Sequence, residues 1–183
     1  QELAAFPDYL LCVNVTKLAA SEQSRLLDLL SANLPVKILL QTDDILQESV
    51  VGGASLGLGA RCTQLANMAM GLGDVYVMQS PSSALYQLRD NLLKGFSYQG
   101  TALYTVYSGA SGIASGLSPY LTAAAAAESR AFPAFIYDPS AGTNWASRFC
   151  LDANVQADCD WPVRSFTYED ADHQTVTENL TFT

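Results

Sequence analysis

Short apolar runs alternate with helical patterns from residue 9 to residue 137. The runs are almost continuously apolar, which is typical of strands that are buried on both faces of a parallel sheet. The predicted strands are residues 9–15, 36–41, 74–79, 102–107 and 132–137. The segments between them carry apolar residues at helical spacing, and the predicted helices are residues 21–34, 60–71, 82–95 and 119–130.

This alternation predicts a doubly wound α/β domain, in which a mostly parallel sheet has helices on both faces. After Asp138 the pattern becomes irregular, and two alternating runs around Asp170-Ala171-Asp172 predict a C-terminal β-hairpin. We therefore expect one α/β domain over residues 1–152 and an extension of that domain over residues 153–183. Ligands of such sheets bind beyond the carboxyl ends of the strands, so residues 42–59 are the first place to look for chemistry.

Composition narrows the classes of partner. A chain of 183 residues with 49% hydrophobic residues suits one domain, and its net charge of -9 argues against nucleic acid and anionic membrane surfaces. No apolar run approaches the ~20 residues that span a bilayer, and no secretory signal is visible, so we expect a cytoplasmic protein. The first residue is not Met and residues 180–183 still resemble a strand, so we expect an excised piece of a longer protein.

The four cysteines are Cys12, Cys62, Cys150 and Cys159, and none forms a C-x-x-C pair. With only one histidine beside them, they do not match the ligand spacing of zinc or iron–sulfur sites. Buried, reduced thiols are the simplest interpretation. A Cys150–Cys159 disulfide is the alternative that the spacing leaves open.

Three stretches, taken in order, resemble the thiamine-diphosphate-binding domain of the pyruvate:ferredoxin oxidoreductases, a family of 2-oxoacid oxidoreductases. They are residues 68–77 running on into 85–94, residues 98–107, and residues 129–139 followed by 149–152. The most specific piece is the strand end Phe132-Pro133-x-Phe135-x-Tyr137-Asp138-Pro139. The resemblance covers about residues 35–152.

The resemblance implies the thiamine-diphosphate-binding fold, with Mg²⁺ and thiamine diphosphate as cofactors. In the family this domain supports decarboxylation of a 2-oxoacid, and the electrons pass to iron–sulfur clusters that would here lie on other segments. The implied partners are other domains or subunits of a larger oxidoreductase-like protein, or further copies in a homo-oligomer.

The family holds Mg²⁺ and the diphosphate with a Gly-Asp-Gly after one strand and a Thr-x-Val-x-x-Asn after the next. The matching positions here are Asn14-Val15-Thr16 and then Asp43, Ile45 and Glu48. Asp43 can still offer a carboxylate to the metal, and Ile45 a backbone carbonyl to the cofactor. Glu48 instead adds negative charge beside a diphosphate. The metal site as the family builds it is therefore missing.

Two hypotheses follow from that departure. In the first, the domain has lost its cofactor and serves as a structural or partner-binding module. In the second, the site has been rebuilt. A rebuilt site would use Asp43, Asp44 and Glu48 for the metal, and Gly52 and Gly53 would let the backbone approach the phosphates. A solvated acidic loop is the simpler interpretation of these residues.

A third hypothesis is a serine hydrolase. Gly53-Ala54-Ser55-Leu56-Gly57 matches G-x-S-x-G, and Ser55, then Asp138 or Asp152, then His173 follow the order of an α/β-hydrolase triad. However, no apolar strand directly precedes the motif and no oxyanion segment is present, although oxyanion stabilisation is usually the largest catalytic term. His173 also lies on the predicted hairpin, so we expect no working triad.

Overall fold

The computed structural model describes residues 9–43, 45, 61–110 and 116–181. The strands in these ranges are β1 Tyr9–Asn14, β2 Val36–Thr42, β3 Tyr76–Pro81, β4 Ala102–Tyr107, β5 Phe135–Tyr137, β6 Phe149–Cys150, β7 Val163–Glu169 and β8 Thr175–Thr181. The α-helices are α1 Ala20–Ser31, α2 Arg61–Leu72, α3 Arg89–Ser97, α4 Pro119–Glu128 and α5 Trp145–Arg148.

The first six strands form one sheet in the order β1-β2-β4-β3-β5-β6. β1, β2, β4 and β3 are parallel to their neighbours, whereas β5 runs antiparallel to β3 and β6 antiparallel to β5. The protein is thus a mixed α/β domain with a mostly parallel sheet, as the sequence predicted. The expectation that the fifth strand would continue the parallel series is wrong.

The position of α4 explains this reversal. α4 packs against the 3₁₀ turn Ser82–Ala84, which follows the carboxyl end of β3. The chain therefore re-enters the sheet from that end, and Phe135 pairs with Gln79 near the end of β3. The strand is also shorter than predicted, because the side-chain amide of Asn154 binds both the N–H and the C=O of Ala134.

Helices cover both faces of the sheet. α1, α2 and α4 pack on one face, where the larger core includes Leu30, Ile38, Ala66 and Ala123. α3 packs on the other face over Tyr76, Met78 and Tyr104. We call this second surface the α3 face.

Gly95 allows α3 to lie directly on the sheet. A Cβ at this position would lie 2.6 Å from Cε1 of Tyr76 and would also collide with the hydroxyl of Tyr104. Real Cβ contacts are essentially never that short, so any larger residue here would have to push the helix away from the sheet. The helix predicted from residue 82 begins only at Arg89, after the 3₁₀ turn Ser82–Ala84.

β1 was predicted as a buried strand, and that prediction is wrong. Tyr9, Leu10 and Leu11 are 55%, 53% and 40% exposed. β1 lies at one end of the sheet with β2 as its neighbour, so its continuous apolar run does not report two buried faces.

None of the four cysteines forms a disulfide in the described residues, as the simplest interpretation expected. Cys62 is buried and Cys150 is half-buried, but Cys12 and Cys159 are exposed, so the expected burial is wrong for these two. Cys12 is exposed because it lies on β1, the last strand at that end of the sheet.

None of the helices within the described ranges is long and apolar enough to cross a membrane.

β7 and β8 form a separate antiparallel hairpin, as predicted. The turn between them is closed by Asp170, whose Oδ1 accepts hydrogen bonds from the backbone N–H groups of Asp172 and Gln174, each at 2.9 Å. The side chain of Asp170 therefore satisfies two backbone N–H groups of the turn, which is the usual role of Asp in a tight turn.

Candidate functional site

The carboxyl ends of β1, β2 and β4 meet around Asp43. In the parallel register Asn14 at the end of β1 lies opposite Gln41 of β2, and Thr42 lies opposite Tyr107 at the end of β4. Asp43 and Ser108 are the residues that directly follow β2 and β4. The order of the strands thus brings polar residues from three separate segments to one place, at the edge where such sheets bind ligands.

The carboxylate of Asp43 is bound by side chains from all three segments. Its Oδ2 accepts a hydrogen bond of 2.7 Å from Nδ2 of Asn14. Its Oδ1 accepts one of 2.6 Å from Nε2 of Gln41 and one of 2.7 Å from Oγ of Ser108. We call Asn14, Gln41, Asp43 and Ser108 the carboxyl-edge cluster.

The backbone around Ser108 reinforces this arrangement. The N–H of Ser108 donates to the carbonyl of Thr42 at 2.9 Å, and the N–H of Ala110 donates to Oγ of Ser108 at 3.1 Å. Ser82, which follows β3, donates from its Oγ to the carbonyl of Ser108 at 3.3 Å. The loop after β4 is therefore held to both β2 and the turn after β3.

These contacts keep the Asp43 carboxylate charged. The hydrogen bond from Ser108 is the largest influence and holds the pKa of Asp43 below its ordinary value, against the opposing effect of partial burial. The hydrogen bonds from Gln41 and Asn14 lower this pKa further, as does the nearby positive charge of Lys17. A carboxylate offers about four lone-pair positions. Two donors bind Oδ1 and one binds Oδ2, so a metal that binds both oxygens would have to displace at least one donor.

Of the predicted cofactor-binding residues, Asp43 lies at this site. The side chain of Ile45 is half-buried and packs against the larger core. Asp44, Glu48, Gly52 and Gly53 lie outside the described residues, and their proposed roles stay predictions. Within the described ranges, which do not include Asp44 and Glu48, no group of three His, Cys, Asp or Glu side chains could hold a metal ion.

Sequence reasoning missed Asn14, Gln41 and Ser108 as partners of Asp43. Each is a polar residue at or just after the end of an apolar strand, which is the signal that could have found them. The position of a polar residue after a strand does not indicate which strands are neighbours in the sheet. β4 lies between β2 and β3 in the sheet, so Ser108 reaches Asp43 although β3 comes between β2 and β4 in sequence.

An apolar groove of about 340 Å³ adjoins the cluster on the α3 face. Gln41 and Ser108 lie at its polar end, and the described residues that form the rest are Leu10, Leu39, Met78, Leu85, Leu92, Phe96, Tyr104 and Val106. Its volume lies at the lower end of the range typical of small-molecule sites.

Among the described residues of the hydrolase hypothesis, no hydrogen bond or ion pair joins His173 to Asp138 or Asp152. Asp138 pairs with Lys94 and accepts hydrogen bonds from the N–H and Oγ of Ser140, at 2.9 and 2.6 Å. Burial raises the pKa of Asp138, but the bonds from Lys94 and Ser140 outweigh that effect and leave it below its ordinary value. His173 is on the hairpin turn, 3.9 Å from Glu169. Ser55 lies outside the described residues.

The fold and the site together define a mixed α/β domain with a polar cluster at the carboxyl edge of a mostly parallel sheet. A scan against protein-family models and a search of curated proteins found no match for the chain.

Proposed function

We propose that this chain is a non-catalytic module of the thiamine-diphosphate-binding fold, within a larger protein that resembles the pyruvate:ferredoxin oxidoreductases. The observation that carries the proposal is the binding of the Asp43 carboxylate by Asn14, Gln41 and Ser108. Asp43 matches a position where the family binds its cofactor and metal, and here it joins three strands. The three stretches of sequence resemblance support the fold and the larger oxidoreductase-like setting.

The neighbouring strand end supports the same conclusion. The family's Gly-Asp-Gly matches Asn14-Val15-Thr16, which puts Val15 in place of the metal-binding Asp. Val15 is fully buried in the larger core and has no oxygen in its side chain. Asn14 directs its amide nitrogen, a hydrogen-bond donor, at Asp43. Mg²⁺ requires oxygen ligands in near-octahedral geometry, and the side chain of Val15 offers none.

Energetics favour the cluster over a metal in this conformation. A hydrogen bond to a charged group contributes roughly 1.5–3 kcal/mol to stability. A metal that binds both oxygens of Asp43 would displace at least one such bond, and Mg²⁺ would also lose some of its tightly held water, which it gives up reluctantly. The cluster is therefore best explained as a device that fixes the ends of β1, β2 and β4.

Calorimetric titration with thiamine diphosphate and MgCl₂ tests this proposal. We expect no saturable heat up to millimolar ligand in the wild-type chain. Saturable, Mg²⁺-dependent binding that is lost in Asp43→Ala and kept in Asp28→Ala, a change at a carboxylate on α1, would overturn the proposal in favour of a rebuilt cofactor site.

The apolar groove favours a second candidate, a small-molecule site. Its polar end adjoins the carboxyl-edge cluster, so a ligand with an apolar ring and a polar group could use both. The substitution Val106→Phe would fill the groove without changing the cluster. Ligand binding that is abolished by Val106→Phe and does not depend on Mg²⁺ would support this candidate over the rebuilt Mg²⁺ site.

A further inference from the structure

The hairpin of β7 and β8 is a small sheet with few attachments to the domain. Almost all of its residues are exposed. Two side-chain attachments to the remaining described residues hold it: Arg164 forms an ion pair with Glu128 of α4, and the Gln156 amide binds Val163. An isolated two-stranded hairpin is marginally stable in water, and a third strand with an apolar face is the usual remedy.

The hydrogen bonds define which backbone groups point away from the hairpin. The N–H of Asp170 donates to the carbonyl of Gln174, so this pair belongs to the ladder between the strands. Backbone groups alternate in direction along each strand. Even-numbered residues therefore bond across the hairpin, and odd-numbered residues point outward. Val163 confirms the alternation, because its N–H and C=O bond to the Gln156 side chain outside the ladder, each at 2.9 Å.

The two outer edges of the hairpin differ. Gln156 occupies the base of the β7 edge at Val163. On β8 the outward groups belong to Thr175, Thr177, Asn179 and Thr181. Within the described ranges, no backbone group from outside the hairpin bonds to them. β8 also lacks the Lys and Pro residues that commonly protect a free strand edge, so it can accept another strand.

One face of the hairpin is apolar. Phe166 and Tyr168 of β7 stack with ring centroids 5.7 Å apart, and the register places Val176 and Leu180 of β8 on the same face. Phe166 and Leu180 are 52% and 47% exposed. A strand added beside β8 would widen this face and cover part of its apolar surface, which is favourable.

Charge indicates what that strand should carry. Glu178 lies on the apolar face between Val176 and Leu180, and its Oε1 accepts a hydrogen bond of 3.1 Å from the Tyr168 hydroxyl. No cation in the described part of the chain pairs with it. Opposite charges on directly facing strand residues are stabilising and like charges are destabilising. A second copy would bring another Glu178 and another net charge of -9, so charge favours a basic partner over self-pairing.

We propose that the outer edge of β8 binds an extended segment of a partner protein as a third strand. Alternate residues of that segment read apolar, basic, apolar, so that a Lys or Arg faces Glu178 and the apolar residues face Val176 and Leu180. The inference rests on the proposed assembly role of the domain. It does not involve the carboxyl-edge cluster.

A synthetic peptide of sequence Thr-Val-Thr-Lys-Thr-Val-Thr is a suitable probe, because it reads the same in both directions and fits a parallel or an antiparallel pairing. Titration of the ¹⁵N-labelled chain should move the amide resonances of residues 175–181. A control peptide with Glu in place of Lys should bind at least tenfold more weakly. Equal binding of the two peptides would overturn the proposed recognition.

Two proline substitutions form a matched pair for locating the edge. Thr177 and Thr167 face each other, their hydroxyl oxygens are 3.1 Å apart, and both have outward N–H groups. Each change to Pro therefore removes the same side-chain contact and one outward donor while sparing the ladder. We expect Thr177→Pro to abolish peptide binding and Thr167→Pro to preserve it. Equal loss in both, or loss in Thr167→Pro alone, would contradict binding at the β8 edge.

The ring-current shifts of Phe166 and Tyr168 show whether the hairpin folds in Thr177→Pro. If it does not fold, Glu178→Lys is a second variant that tests the proposal. The Glu178→Lys chain should bind the Glu peptide more tightly than the Lys peptide, and a continued preference for the Lys peptide would overturn the proposal. If the wild-type chain forms a dimer that Thr177→Pro dissociates, the strand bound at the β8 edge would instead belong to a second copy of this chain. Thiamine diphosphate titration reports separately on Asp43, so failure of the proposed function and failure of this inference can be distinguished.

Discussion

Oγ of Ser108 donates a hydrogen bond of 2.7 Å to Oδ1 of Asp43, across 65 positions of sequence. The contact joins the segments that follow β4 and β2, two neighbouring parallel strands that are not consecutive in the chain. It also makes the largest contribution to the lowered pKa of Asp43.

Ser108→Ala should destabilise the fold by about 1–2 kcal/mol, since it removes one charge-assisted bond and leaves the other donors to Asp43 in place. Urea denaturation followed by circular dichroism measures the change. Ser97→Ala is a matched control, because the Ser97 hydroxyl donates to a carbonyl of its own helix at an exposed position. We expect the control to change stability by under about 0.5 kcal/mol. Equal losses of stability in the two variants would mean that the Ser108–Asp43 hydrogen bond contributes no more than an exposed hydrogen bond within a helix.

The contribution of Asp43 should depend on pH in a defined direction. Its pKa is lower in the folded protein than in the unfolded chain, where we expect about 3.9. The stabilisation is therefore fully present above that unfolded value and is lost as pH falls through the folded pKa. Denaturation of wild type and Asp43→Asn at several pH values should show a stability difference that is constant near pH 7 and shrinks below about pH 4. A difference that grows in acid would contradict the assignment.

Gly95→Ala should destabilise the protein by about 1–3 kcal/mol, because the added Cβ collides with Tyr76 and Tyr104 and forces α3 off the sheet. Gly71→Ala is the control on another helix. A Cβ there meets nothing within 4 Å, so helix propensity alone should leave stability unchanged or raise it by up to about 1 kcal/mol. Thermal unfolding of both variants checks the contrast, and similar shifts in the two would argue against the close approach.

A fluorophosphonate probe should leave the chain unlabelled. The Asp138 carboxylate is engaged by Lys94 and Ser140, and His173 is on the exposed hairpin turn with Glu169 as its nearest carboxylate. Neither residue is therefore arranged to activate a serine. Intact-mass spectrometry after incubation reads the result. Labelling that disappears in Ser55→Ala would restore the hydrolase hypothesis.

Most elements could be predicted from sequence because local patterns report them well. The helix at Pro119 begins where Ser118 and Pro119 indicate it, with Oγ of Ser118 accepting a hydrogen bond from the N–H of Leu121. The apolar pattern locates β2 and β4 to within one residue, and the turn residues around Asp170 predict the hairpin. The importance of Asp43 was also visible, because it directly follows a strongly apolar strand.

The sequence by itself therefore determined approximately where most of the elements lie, since burial and backbone propensity leave their pattern in consecutive residues. Only the tertiary structure decided that β4 lies beside β2, that β5 runs antiparallel, and that β1 is an exposed end of the sheet. It also decided that Asn14, Gln41 and Ser108 bind Asp43. These outcomes depend on which strands become neighbours, a choice made by packing between distant segments and absent from any local pattern.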